Sequence, residues 1–104
     1  MNRKNRRPGA TNGAALRLEL GVNHHRAGRL LQAEQCYQAA LRLSPGEPSA
    51  QEHSDALHLL GVVRMQSGRM DEAVELISRA VSRCPSNPTY LSNLGIANLE
   101  RGET

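Results

Sequence analysis

Two stretches forty residues apart carry the same five landmarks at the same spacing, and this limits the fold more than anything else in the chain. Leu60-Gly61 is followed by Gly68, Ala73, Ala80 and Pro85, while Leu20-Gly21 is followed at identical offsets by Gly28, Ala33, Ala40 and Pro45. The series begins a third time at Leu94-Gly95 and Gly102. A register kept in this way marks supersecondary units that cannot bury their apolar faces alone and must stack on one another. The function of such a chain is expected to lie in the surface the stack makes, not in a catalytic motif.

The side chains available point to helices as the stacked elements. Tyr37 and Tyr90 are the sole aromatics, so Leu, Val, Ala, Ile and Met must build the core, a palette that suits helix packing better than a sheet. Met70, Ala73, Val74, Ile77, Ala80 and Val81 form one apolar stripe at helical spacing, with Asp71 and Glu72 in the first turn and Arg79 and Arg83 in the last, where they complement the helix dipole. Leu30, Ala33, Tyr37, Ala40 and Leu41 give an earlier helix of the same kind, ended by Ser44-Pro45. The segment from Ala14 to Ala27 is ambiguous alone, because Leu16, Leu18, Leu20 and Val22 alternate like a strand. Its repeat counterpart around Leu57, Leu60, Gly61 and Val63 has helical spacing, and this decides for a helix.

Gly28 and Gly68 are placed to end helices in the left-handed conformation. Asn87-Pro88 supplies a cap followed by proline at the first helical position, starting a fifth helix through Leu91, Leu94 and Ala97. The first two repeat glycines are 40 residues apart and the next two 34, so six residues, 48–53, are an insertion. Ser49 and Glu52 within it have capping-box spacing, which predicts that the insertion lengthens the following helix at its start. Arg101-Gly102-Glu103-Thr104 reads as a turn toward a sixth helix, which predicts an open or truncated end.

Charge and cysteine usage narrow the setting. The formal charge of +3 comes from the tail: without Arg3, Lys4, Arg6 and Arg7 the chain has nine bases against ten acids. Residues 1–13 lack apolar periodicity and are broken by Pro8-Gly9 and Asn12-Gly13, so a disordered basic tail is expected and nucleic acid is not expected as a partner of the body. Cys36 and Cys84 have no paired spacing, which fits two free thiols in a reducing compartment. No apolar run reaches the length of a membrane span, so the chain reads as cytoplasmic. One lysine among thirteen bases, with abundant Ala, Gly and Leu, suggests a high-GC bacterial genome.

Residues 14–104 resemble the tetratricopeptide repeat, a 34-residue helix-turn-helix unit. The resemblance implies an all-α solenoid of antiparallel helix pairs with a concave groove and about five helices. Its repeats would span 14–47, 54–87 and, as a lone first helix, 88–104. Gly21, Ala33 and Ala40, then Gly61, Ala73 and Ala80, take the positions where paired helices approach closely. Arg17 departs from the pattern where a large residue is usual, and His24 and Arg64 depart where a tyrosine is usual. YLSNLGIANLERGE is also similar to repeats of O-linked N-acetylglucosamine transferases, with Asn93 at their asparagine-ladder position, although Glu19 and Leu59 break that ladder. AGRLLQAEQCYQAALRLSP and DALHLLGV look like the leading repeats of bacterial glycosyltransferases and sulfotransferases.

In this family the first helix of each pair lines the groove, which implies a stripe three before, one after and four after each repeat glycine. These positions share one helix face. They are Leu18, Val22 and His25, then His58, Val62 and Met65, then Ser92, Ile96 and Leu99, with Asn93 beside them. Two apolar groups and one polar group per helix suit a peptide or helix segment held mainly by apolar burial. The alternative is that Val22, Val62 and Ile96 pack on each other. A clamp for C-terminal carboxylates is not expected, because Leu18, Val22, Leu59 and Thr89 stand where its polar residues would be.

No catalytic or cofactor motif is present, and no catalytic residue, cofactor or metal is expected. His24 and His25 are adjacent and His53 and His58 are five apart, neither a helical ligand spacing. Cys36 is expected in the core of its helix and Cys84 exposed beside Pro85. The leading expectation is a non-catalytic scaffold for protein-protein interaction. The alternative is the leading part of a longer glycosyltransferase or sulfotransferase that presents protein substrate. Leu91, Leu94, Ile96 and Leu99 cover so much of the fifth helix that self-association through it is also expected.

Overall fold

The computed structural model describes residues 13–43 and 50–102. Five helices follow one another: α1 (Gly13–Arg26), α2 (Leu30–Leu41), α3 (Ala50–Gln66), α4 (Met70–Arg83) and α5 (Pro88–Gly102). No strand occurs among the described residues. The tail assigned to residues 1–13 lies outside them except for Gly13, as do the Ser44-Pro45 stop and the Ser49 cap.

The ambiguous first segment is helical, and its alternation has a simple origin. Leu18 and Val22, four apart, pack toward the core, while Leu16 and Leu20 form a second i, i+4 pair on an exposed side. Gly13 is not a breaker but the first residue of α1, whose start packs near Leu43 at the end of α2. The turns from α1 to α2 and from α3 to α4 are closed in the same way. Gly28 and Gly68 have φ of +81° and +82°. Gly28 N donates to His25 O and Arg29 N to His24 O, and Gly68 N to Met65 O and Arg69 N to Arg64 O. This paired bonding satisfies the last carbonyls of α1 and α3 and turns the chain into the antiparallel partner helix. Gly102 differs from the expected turn, since α5 continues through it. The residue that would close an equivalent turn, Glu103, lies outside the described residues.

α1 pairs with α2 and α3 with α4, and α2 and α4 carry the contact on to α3 and α5. Among alternate helices, α1 also reaches α3 and α3 reaches α5, whereas α2 and α4 make no comparable contact. The stack therefore bends toward the layer of first helices, α1, α3 and α5. The core joins Ala33 and Tyr37 of α2, Leu57, Leu60 and Val63 of α3, Leu76 and Ala80 of α4 and Tyr90 of α5. Gly21 and Gly61 are needed where the pairs cross: a Cβ on Gly21 would overlap the Tyr37 ring, and one on Gly61 would lie 2.5 Å from Ile77 Cγ1.

The described part of the expected insertion, from Ala50 on, contributes structure to its neighbours. α3 is the longest helix because it starts at Ala50, and its first turn brings Gln51 Nε2 to within 3.2 Å of the Tyr90 hydroxyl and 3.0 Å of Asp55 Oδ1. Tyr90 in turn donates to Asp55, so the start of α3 is fastened to α5. At the start of α5, Asn87 Oδ1 accepts from Tyr90 N at 3.0 Å, the cap expected before Pro88. Neither cysteine takes its expected place, since both are half-buried. Cys84 packs against the core with its Sγ 3.5 Å from Ser54 Oγ, while Cys36 is only partly buried and borders an open cleft between α1 and α2 with Leu20, Gln32 and Ala39.

Candidate binding face on the first-helix layer

The stripe of α1, α3 and α5 is not uniform; it opens at α5. Leu18, Val22, Val62 and Met65 are all half-buried, the first two packed against the core. Ser92 is exposed, and on α5 Ile96 and Leu99 expose 43% and 65% of their surface, so the apolar end of the face is in water. Among the described residues no second layer covers this side of α3 and α5. The reading in which Val22, Val62 and Ile96 simply bury each other accounts for Val22 but not for Ile96.

The histidines of the stripe, and Asn93 beside them, are engaged within the fold. His25 Nδ1 lies 3.2 Å from the Tyr37 hydroxyl and its Nε2 2.6 Å from Gln66 Oε1, which links α1 to α2 and to the end of α3. Burial first, and then the neighbouring Cys36, push the Tyr37 hydroxyl up to about 12, so it remains a donor at any ordinary pH. His58 is buried, with its ring 4.7 Å from that of Tyr90 and its Nε2 2.8 Å from Asn93 Nδ2. His58 and Asn93 are thus brought together, but as a bond between α3 and α5 and not as two free recognition groups.

Burial holds the His58 pKa below the ordinary imidazole value, with Asp55 on its own helix opposing and only Asn93 and the Tyr90 ring facing it from α5. The neutral ring can take the Asn93 amide proton at Nε2, and a protonated ring cannot. Because the unfolded chain binds the proton more readily, this stabilisation is present above the ordinary imidazole range and is lost as pH falls through the folded value. His53, lowered by burial and then by Arg83 and Arg79, acts in the same direction. The melting temperature is expected to fall on acidification through this range, and His58→Gln to flatten the fall. An unchanged slope in that variant would show that His58 does not report the α3 to α5 contact.

A feature that spacing did not reveal lies behind the stripe. Arg64 stands where the repeat pattern favours tyrosine, and its guanidinium reaches Glu34 of α2 at 2.9 Å and Glu72 of α4. Arg69 in the turn approaches the same two carboxylates at 3.4 and 2.9 Å. Arg64 and Glu34 are mostly shielded from water, which makes this pair stronger and more geometrically demanding than a surface bridge. It ties the two repeats together. The Arg64 Nε is buried without a partner, so the network is not fully satisfied.

No helix of the described residues is long and apolar enough to cross a membrane, and no group of three or more His, Cys, Asp or Glu among them could hold a metal ion. Antiparallel helix pairs in register, closed by left-handed glycines and presenting one row of first helices, define a helical-repeat module whose general role is to bind other proteins. The sequence pattern of the tetratricopeptide repeat matches residues 10–48, 18–88 and 60–104, and the chain belongs to this family. It is similar to the photosystem I assembly protein Ycf3 of Synechococcus sp. (strain CC9311), 26% identical over 84 residues that cover 81% of this chain and 47% of the relative. The same protein of Synechococcus sp. (strain CC9605) is 26% identical over 76 residues, 73% of this chain and 42% of the relative. The chain spans less than half the length of these curated relatives. Neither is named as a transferase, and the likeness to transferase repeats rests on the sequence at 27–45, at 55–62 and around Asn93 alone.

Proposed function

We propose that this chain is a non-catalytic scaffold that holds an amphipathic helix or an extended peptide along the α1, α3 and α5 face. The observation that carries the reading is the exposed apolar pair Ile96 and Leu99, in line with partly exposed Val62 and Met65 on the side toward which the stack bends. Half-buried Leu18 and Val22 would form the floor of the far end. Because His25, His58 and Asn93 are already bonded within the fold, apolar burial dominates and the polar contribution comes from Ser92 and from the partner's backbone. The likeness to proteins named for assembly supports a scaffold over an enzyme. Two unpaired thiols fit a reducing, cytoplasmic setting.

Peptides selected from a displayed random library against the whole chain test this directly. Their binding is expected to weaken about tenfold or more in Met65→Glu and in Leu99→Glu, since each removes an apolar anchor worth about 1.5 to 3 kcal/mol. Selected peptides that bind both variants as well as they bind the parent would remove the groove reading.

A further inference from the structure

The outer side of α5 carries a second surface, distinct from the binding face. Repeat equivalence pairs Leu91 and Gly95 with Leu57 and Gly61, the residues of α3 that receive α4. Leu57 is fully buried and a Cβ on Gly61 would strike Ile77; a Cβ on Gly21 of α1 would likewise strike Tyr37. Leu91, in contrast, exposes 46% of its surface and a Cβ on Gly95 would meet nothing within 4 Å. Among the described residues α5 therefore presents a helix-accepting notch with no helix in it.

We propose that the occupant of this notch is a second copy of the chain, bound through α5 in antiparallel orientation. The helix carries a knob and a socket four residues apart on one face, Leu91 and Gly95. Two such helices related by a two-fold axis level with Asn93 place each Leu91 over the other's Gly95, so the surface is self-complementary as a two-fold contact requires. The internal pairs use the same device, with Ile77 over Gly61 and the small residues Ala73 and Ala80 on either side of that knob in α4. Charge permits it. Asn87, Pro88, Leu91, Leu94, Gly95 and Asn98 on this side are uncharged, and the charged Arg101 beyond them lies 3.9 Å from Asp71 of its own chain.

Analytical ultracentrifugation of the full chain, from micromolar to near-millimolar concentration, tests the proposal. A monomer-dimer equilibrium is expected for the parent, with its dissociation constant raised on the order of tenfold or more by Leu91→Glu and by Gly95→Leu. Gly95→Leu distinguishes a lost contact from a damaged fold: the site is open, so the monomer should melt no lower than the parent while the dimer is lost. Ile96→Glu with Leu99→Glu, on the peptide-binding side, should leave the dimer intact, so this inference and the groove reading fail separately. A parent that stays monomeric throughout would overturn the proposal. So would a dimer that survives Leu91→Glu and Gly95→Leu, or one dissolved only by the Ile96 and Leu99 changes.

Discussion

Tyr37→Ala is expected to unfold most of the population or leave it barely stable at ambient temperature. Tyr37 is fully buried, sits over Gly21 and belongs to the cluster that joins α2 to α3 and α5. Truncating a buried aromatic to alanine costs about 3 to 5 kcal/mol, through lost transfer energy and the cavity left behind. A domain of this size holds about 5 to 15 kcal/mol in total. The cavity cannot collapse easily, because α1 is held at its distance by the turn at Gly28. Tyr37→Phe separates packing from hydrogen bonding: it keeps the ring, loses the contact with His25, and should cost about 0.5 to 1.5 kcal/mol. Urea denaturation of both variants gives the comparison, and equal midpoints would mean that the ring is not what holds the first repeat.

Ala73→Leu is the second large effect, and it acts by the opposite mechanism. Ala73 is fully buried where α4 crosses α3, and its carbonyl lies 3.3 Å from where a Cβ on Gly61 would be. Three added carbon atoms have no space there unless the helices part, and overpacking of this kind costs about 1 to 3 kcal/mol or more. Separation of α4 from α3 would also pull Glu72 from Arg64, so the loss extends beyond the crossing. The circular dichroism melt should shift far down, while Ser82→Leu on the exposed side of the same helix leaves it nearly in place. A melt unchanged by Ala73→Leu would contradict the close approach on which the repeat register depends.

These two sites explain why so much of the fold could be read in advance. Close helix crossings admit only small residues, so Gly21, Ala33, Gly61 and Ala73 leave a visible period, and left-handed turns admit glycine most readily, so Gly28 and Gly68 leave another. What spacing could not show depends on a neighbour's presence. Cys36 and Leu76 are equivalent in the repeat, but Leu76 is buried and Cys36 is only partly so, with no helix preceding α1 among the described residues to cover its side. His58 looks like a groove residue by register and becomes a buried one because Tyr90 and Asn93 of α5, more than 30 residues on, pack against it and bond to it. The bridge from Arg64 to Glu34 likewise joins residues far apart in sequence, and neither residue type is fixed by the repeat. The opening of the face at Ile96 and Leu99, against half-buried Leu18, Val22, Val62 and Met65, is a difference that a stripe drawn from positions alone treats as equal.

The central place of α3 has a consequence for how such a chain can change. It is the one helix in contact with all four others, and it carries both Gln51, which fastens its start to α5, and the arginine that ties it to α2 and α4. A protein built from repeats is commonly pictured as beads that can be added, deleted or exchanged anywhere along a string. Here the beads are not equivalent: among the five helices, a change in α1 or α5 disturbs fewer junctions than a change in α3, which meets all the others.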